Sequence, residues 1–126
     1  MASPSAKRIL VADDHADGRD ALKLLLEHEG YTVAVAPDGP SALELTESFQ
    51  PDIAILDIGM PGLNGYEVAG RLRGSGSHGA LVLIALSGWG QRQDKIRAAE
   101  AGFDHHFTKP VDWTQLLSTL SSAERR

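Results

Sequence analysis

The stretch LVLIAL, Leu81 to Leu86, decides the fold. Six apolar residues in a row leave no face for water, so a strand built from them is covered on both sides. Such strands sit in parallel sheets with helices packed on each face. The sequence on either side fits that reading. Arg8 to Ala12, Tyr31 to Ala36, Ile53 to Leu56 and His105 to Thr108 are the other strand candidates. Helix candidates alternate with them. Ala16 to Glu29 carries Ala21, Leu22, Leu25 and Leu26 at helical spacing and is stopped by Gly30. Asp38 to Phe49 carries Ala42, Leu43 and Leu45 and ends at Gln50-Pro51. Gly65 to Arg73 is short, Gln91 to Ala101 is closed by Gly102, and Asp112 to Ala123 starts on Asp112 as N-cap. Five βα units result. The expected fold is a doubly wound α/β sandwich, whose function collects at the carboxyl ends of the strands.

Composition narrows the class. The 126 residues suit one domain, and its 42% apolar and 23% charged residues are ordinary for a globular chain. Residues 1–6 read as a flexible leading segment. GSGSHG (74–79) is too short for an interdomain linker, and no repeat is visible. The absence of cysteine excludes disulfides, thiolate zinc sites and thiol catalysis, and agrees with a reducing compartment. A net charge of -5 provides no basic field for direct nucleic-acid binding. No apolar run approaches the roughly 20 residues of a membrane span. The opening MASPSAKR lacks the apolar centre of a signal peptide. The expectation is a soluble cytoplasmic protein. No GxGxxG or Walker pattern is present, which disfavours nucleotide binding.

Chemistry gathers at the predicted strand ends. Asp13 and Asp14 lie in the loop after the first strand, the third strand ends at Asp57, the fourth ends at Ser87 followed by Gly88, and the fifth ends at Lys109-Pro110. Three carboxylates brought together repel one another, and a hard divalent cation such as Mg²⁺ or Mn²⁺ relieves this with oxygen ligands. Asp57 then suits a nucleophile toward a phosphoryl group. Lys109 offers a point charge and Ser87 a hydrogen bond to phosphoryl oxygens, while Gly88 leaves room for the group. Each residue also has a plainer reading. Asp57 can be a capping or ion-paired carboxylate, Asp13-Asp14 a solvated pair at a helix start, Ser87 a turn residue and Lys109 a surface lysine. His15, His105 and His106 read as structural or surface residues, since neighbours on a strand point to opposite faces. Trp113 after its N-cap reads as partial core.

Four pieces, in order, match a family: VADDH after the first strand, ILDIGMPGLNG around Asp57, ALSG after the fourth strand and TKP after the fifth. On these the chain resembles the receiver domain of two-component response regulators over almost its whole length. The resemblance implies a CheY-like five-stranded sheet of order 2-1-3-4-5 and one receiver domain over 1–126. It implies Asp57 as phosphoacceptor, with Asp13, Asp14, Asp57 and the Gly59 backbone carbonyl around Mg²⁺. It further implies catalytic roles for Ser87 and Lys109 and a cis Lys109-Pro110 peptide. The phosphodonor would be a histidine kinase or a histidine phosphotransfer protein. The domain would be a signalling module rather than an enzyme, contributing to its own phosphorylation and dephosphorylation. LSGWGQ resembles receivers attached to hybrid histidine kinases. Two departures stand out. His106 occupies a position where the family usually has Tyr or Phe as a switch partner of Ser87, and Trp89 lies at the approach to the site. The other classes in view are an aspartate-nucleophile phosphatase, which Gly59 opposes by replacing a second catalytic aspartate, and a degenerate receiver serving as a scaffold.

Overall fold

Alternate residues of a strand face opposite sides of a sheet, and here both sides are buried. The computed structural model describes residues 7–88 and 94–123. Strands β1 (Arg8–Ala12), β2 (Thr32–Ala36), β3 (Ile53–Asp57), β4 (Val82–Ser87) and β5 (His105–Thr108) alternate with helices. These are α1 (Ala16–His28), α2 (Gly39–Phe49), α3 (Gly65–Gly74), α4 (Asp94–Ala101) and α5 (Trp113–Ser122). All strand pairs are parallel, in the order β2-β1-β3-β4-β5. Leu10, Ala12, Ala54, Leu56, Leu83 and Ala85 pack on one face with Val68, Ala69 and Leu72 of α3. Ile9, Val11, Ile53, Ile55, Ile84 and Leu86 pack on the other with Leu26 of α1 and Leu116 and Leu120 of α5. Two apolar cores separated by one sheet are the reason the strands read as uninterrupted apolar runs.

The predicted elements are all present, with shifts at their ends. β3 and β4 each run one residue past their apolar segments, and Asp57 and Ser87 are the last residues of these strands, as expected. Asp38 lies outside α2 as its N-cap, its carboxylate accepting from the Ser41 N–H at 2.8 Å. Asp112 caps α5 in the same way, accepting from Gln115 N–H at 3.1 Å. Tyr31 precedes β2, because its N–H closes the end of α1 on the Leu26 carbonyl. Trp113 is partly buried against the second core. The leading segment 1–6, Trp89 and residues 91–93 of the expected fourth helix lie outside the described residues.

Side chains tie the elements together at the sheet's margins. Arg73, in the last turn of α3, donates to the Gly102 carbonyl (3.0 Å), the His78 carbonyl (2.9 Å) and Asp104 Oδ2 (3.0 Å). Asp104 Oδ2 also accepts from the N–H of Leu83 at 2.8 Å. Lys7, just before β1, donates to the carbonyls of Leu120, at 3.1 Å, and Ala123, at the end of α5.

Candidate phosphoacceptor site

The carboxyl ends of β1, β3, β4 and β5 converge as the topology requires. Asp57 is held from behind by Gly65, the first residue of α3. A Cβ at Gly65 would lie 2.8 Å from both the Asp57 carbonyl oxygen and the Ile58 Cα, so only glycine lets α3 start this close to the strand end. A capping box fixes that start: Asn64 Oδ1 accepts from Glu67 N–H, and Glu67 Oε1 accepts from Asn64 N–H, both at 2.9 Å. The Asp57 side chain is buried, and its Oδ1 accepts from Gly59 N–H at 2.9 Å. Gly59 thus supplies an N–H to this carboxylate.

Lys109 Nζ joins the two buried aspartates, donating to Asp57 Oδ2 at 3.0 Å and to Asp13 Oδ2 at 3.3 Å. The Lys109 N–H also donates to the Ser87 carbonyl at 2.8 Å, and the Lys109-Pro110 peptide is cis. Asp13 Oδ1 accepts from the His15 N–H at 2.9 Å. Asp14 is more exposed and lies on the outer side of the cluster. Ser87 is fully buried, and its Oγ is hydrogen-bonded to His106 Nε2 at 2.9 Å across the β4–β5 pair. Gly88 follows Ser87 directly beyond β4.

His15 is exposed at the surface, as expected, and it also lies against the carboxylates. Its Nδ1 is 3.2 Å from Asp13 Oδ1, 3.3 Å from Asp14 Oδ1 and 4.0 Å from Asp57 Oδ2. It is the exposed N-cap of α1, yet its ring turns back over the carboxylates. One donor atom from each of Asp13, Asp14, His15 and Asp57 falls within 4.8 Å of the others. That set, three hard oxygens and one imidazole nitrogen, fits a small divalent cation, Mg²⁺ through the oxygens and Mn²⁺ through both donor types. The sequence signal was the His that directly follows paired aspartates. Its importance depends on the helix-cap geometry.

The two buried carboxyls titrate in opposite directions. Burial is the largest influence on Asp57 and raises its pKa, the Asp13 carboxylate adds to this, and the Gly59 N–H and Lys109 offset only part. Burial raises Asp13 as well, but its bond from His15 N–H, its contact with Asp57 and the Lys109 charge together hold it below the usual range. Burial lowers the Lys109 pKa, and the two aspartates more than reverse this, so the ammonium stays charged. Among the described residues the arrangement is an anionic pocket in which the Lys109 ammonium lies against two buried carboxylates, with a buried hydroxyl at the end of the neighbouring strand.

Comparisons with known proteins agree on the fold and the family. The sequence model of the response regulator receiver domain matches residues 9–121. A 14.6 kDa uncharacterized protein from Leptolyngbya boryana, encoded in the sodA1 3' region, is 40% identical over 109 residues, 86% of this chain and 83% of that protein. The response regulator MprA of Mycobacterium ulcerans (strain Agy99) is 37% identical over 119 residues, 94% of this chain and 50% of that protein. This chain therefore spans about half the length of that regulator. A solved signal receiver domain of a signal transduction histidine kinase from Syntrophus aciditrophicus superposes with a TM-score of 0.84 at 29% identity, covering 92% of this chain and 88% of that one. The chain belongs to the response regulator receiver domain family.

Proposed function

We propose that the chain accepts a phosphoryl group from a phosphohistidine onto Asp57, as one step of a phosphorelay. The observation that carries this reading is the buried Asp57 carboxylate at the end of β3, bridged to Asp13 by the Lys109 ammonium, with Asp14 and His15 beside it. The Asp57 carboxylate attacks phosphorus, the bond from phosphorus to the donor nitrogen breaks, and its electron pair leaves with the imidazole. Gly59 N–H steadies the carboxylate during the attack. Lys109 transfers part of its charge contact to a phosphoryl oxygen, and Ser87 donates its hydroxyl to another. Asp13, Asp14 and Asp57, with the Gly59 carbonyl, would hold Mg²⁺ or Mn²⁺, which supplies positive charge against the oxygens of the transferring group. Gly88 gives the group room. Reset is hydrolysis: water oxygen bonds to phosphorus and the bond to Asp57 breaks, returning the carboxylate.

A protein donor is supported by an apolar groove of about 340 Å³ beside Lys109, lined by Leu22 and Leu25 of α1 and by Val111 and Trp113. We assign this groove to the helix that bears the phosphohistidine of a histidine kinase or phosphotransfer protein. We read residues 1–126 as one receiver domain acting in the cytoplasm, without direct nucleic-acid contact. The LSGWGQ stretch favours attachment to a hybrid histidine kinase. Among the described residues no helix is long and apolar enough to cross a membrane. The test is labelling. With Mg²⁺ and acetyl phosphate the protein gains one phosphoryl mass, and Asp57→Asn gains none. Undiminished labelling of the Asn variant overturns the assignment.

A further inference from the structure

The Ser87–His106 hydrogen bond has no counterpart in the phosphoryl chemistry. Ser87 is 0% exposed, and its hydroxyl lies 2.9 Å from His106 Nε2. A hydroxyl has a single hydrogen to give. If that hydrogen is bound to the imidazole, it is not available to a phosphoryl oxygen. Both residues are fixed by the sheet: His106 is paired with Ala85 and Ser87 with Thr108 in the β4–β5 register. The bond therefore joins the end of β4 to the strand that leads into Lys109. A phenyl ring at position 106 has no atom able to form it.

We propose that His106 is a positioning residue that latches Ser87 in the unphosphorylated state, with its Nε2 accepting the Ser87 hydroxyl. This rests on Asp57 being the acceptor and Ser87 its hydrogen-bond donor. Phosphorylation of Asp57 takes the hydroxyl hydrogen away from the imidazole. The latch and the phosphoryl group compete for one donor, so the imidazole weakens phosphoryl binding and sets the threshold of the switch. The released ring stands beside a cavity of about 250 Å³ between α4 and β5, lined by Ala98, Ala99, Phe103 and His105.

Beryllofluoride, a phosphoryl mimic, is the probe, used with Mg²⁺ on the whole chain. His106→Phe removes the latch, and His106→Gln keeps a hydrogen-bonding atom near the place of Nε2. The expected result is that His106→Phe binds beryllofluoride about two- to tenfold more tightly than wild type, the factor set by one neutral hydrogen bond. His106→Gln should bind near the wild-type affinity. In wild type, the ¹⁵N resonance of His106 Nε2 should be that of an unprotonated ring nitrogen and should move when beryllofluoride is added. Equal affinities of wild type and His106→Phe would overturn the latch alone. So would an Nε2 that carries its own proton throughout, a measurement independent of any variant. If wild type binds beryllofluoride no better than Asp57→Asn, the acceptor assignment fails and the latch with it.

Discussion

Burying Asp57 beside Asp13 works against folding, because burial and the second carboxylate raise the Asp57 pKa. A carboxyl whose pKa is higher folded than unfolded stabilises nothing when ionised. Its penalty is absent below both values and complete above the folded one. Without divalent cation, Asp57→Asn should therefore melt a few degrees above wild type at neutral pH. The gap should close as pH falls through the folded Asp57 pKa, and a lower melting temperature for the variant at neutral pH would contradict this. His15 makes a second residue-level prediction. Its Nδ1 sits among the carboxylate donors, and an imidazole nitrogen suits Mn²⁺ better than Mg²⁺. His15→Ala should weaken Mn²⁺ binding several-fold in calorimetric titration and leave Mg²⁺ binding near wild type. Equal losses for both ions would remove His15 from the site. Asp57 was legible in the sequence because an apolar run ended on it and a turn followed. His15 was not, because a ring that folds back from a helix N-cap leaves no periodic trace. The Ser87–His106 bond was hidden for a related reason: it depends on the register of two strands, which no local pattern encodes.

Elements in this fold depend on a few long contacts at the edges away from the carboxylates. Arg73 is the broadest of these, linking α3 to the Gly102 turn after α4, to the segment before β4 and to Asp104. Its side chain is 16% exposed, and its bonds to the Gly102 and His78 carbonyls are partly shielded from water. Arg73→Ala should cost about 2–3 kcal/mol in chemical denaturation, as expected when charge-assisted bonds are lost and their partners stranded. Arg73→Lys should recover little of this, since an ammonium cannot reproduce the guanidinium fork. A loss below about 0.5 kcal/mol would place Arg73 with ordinary surface charges. The helices read clearly from apolar spacing, and Asp112 from its capping chemistry. Their exact ends did not, because Asp38 and Tyr31 belong to caps and turns whose bonds cross the boundary, Asp38 forward to Ser41 and Tyr31 back to Leu26. β5, short and only partly buried, was recognisable chiefly from its place before Lys109.

At the scale of the whole molecule, a cation at the site and the fold are linked. Any ligand that binds only the native state stabilises it. Mg²⁺ should raise the melting temperature of wild type, and that of Asp14→Ala far less. Equal shifts would exclude Asp13-Asp14 as the metal pocket. The sheet as a whole was the most legible feature, since two cores on one sheet demand uninterrupted apolar strands such as LVLIAL. The bonds from Lys7 to the carbonyls of Leu120 and Ala123 carry a different consequence. They bring the start of β1 and the end of α5 together, so the path of the backbone is nearly a ring. A short flexible connector from Ala123 to Lys7 would close that ring, and new termini can open between Gly76 and Ser77, where the chain is exposed. Such a circular permutant should fold, melt within several degrees of its parent and still take a phosphoryl label on Asp57. A permutant that stays unfolded would mean that the order in which the βα units leave the ribosome matters as much as the contacts they finally make.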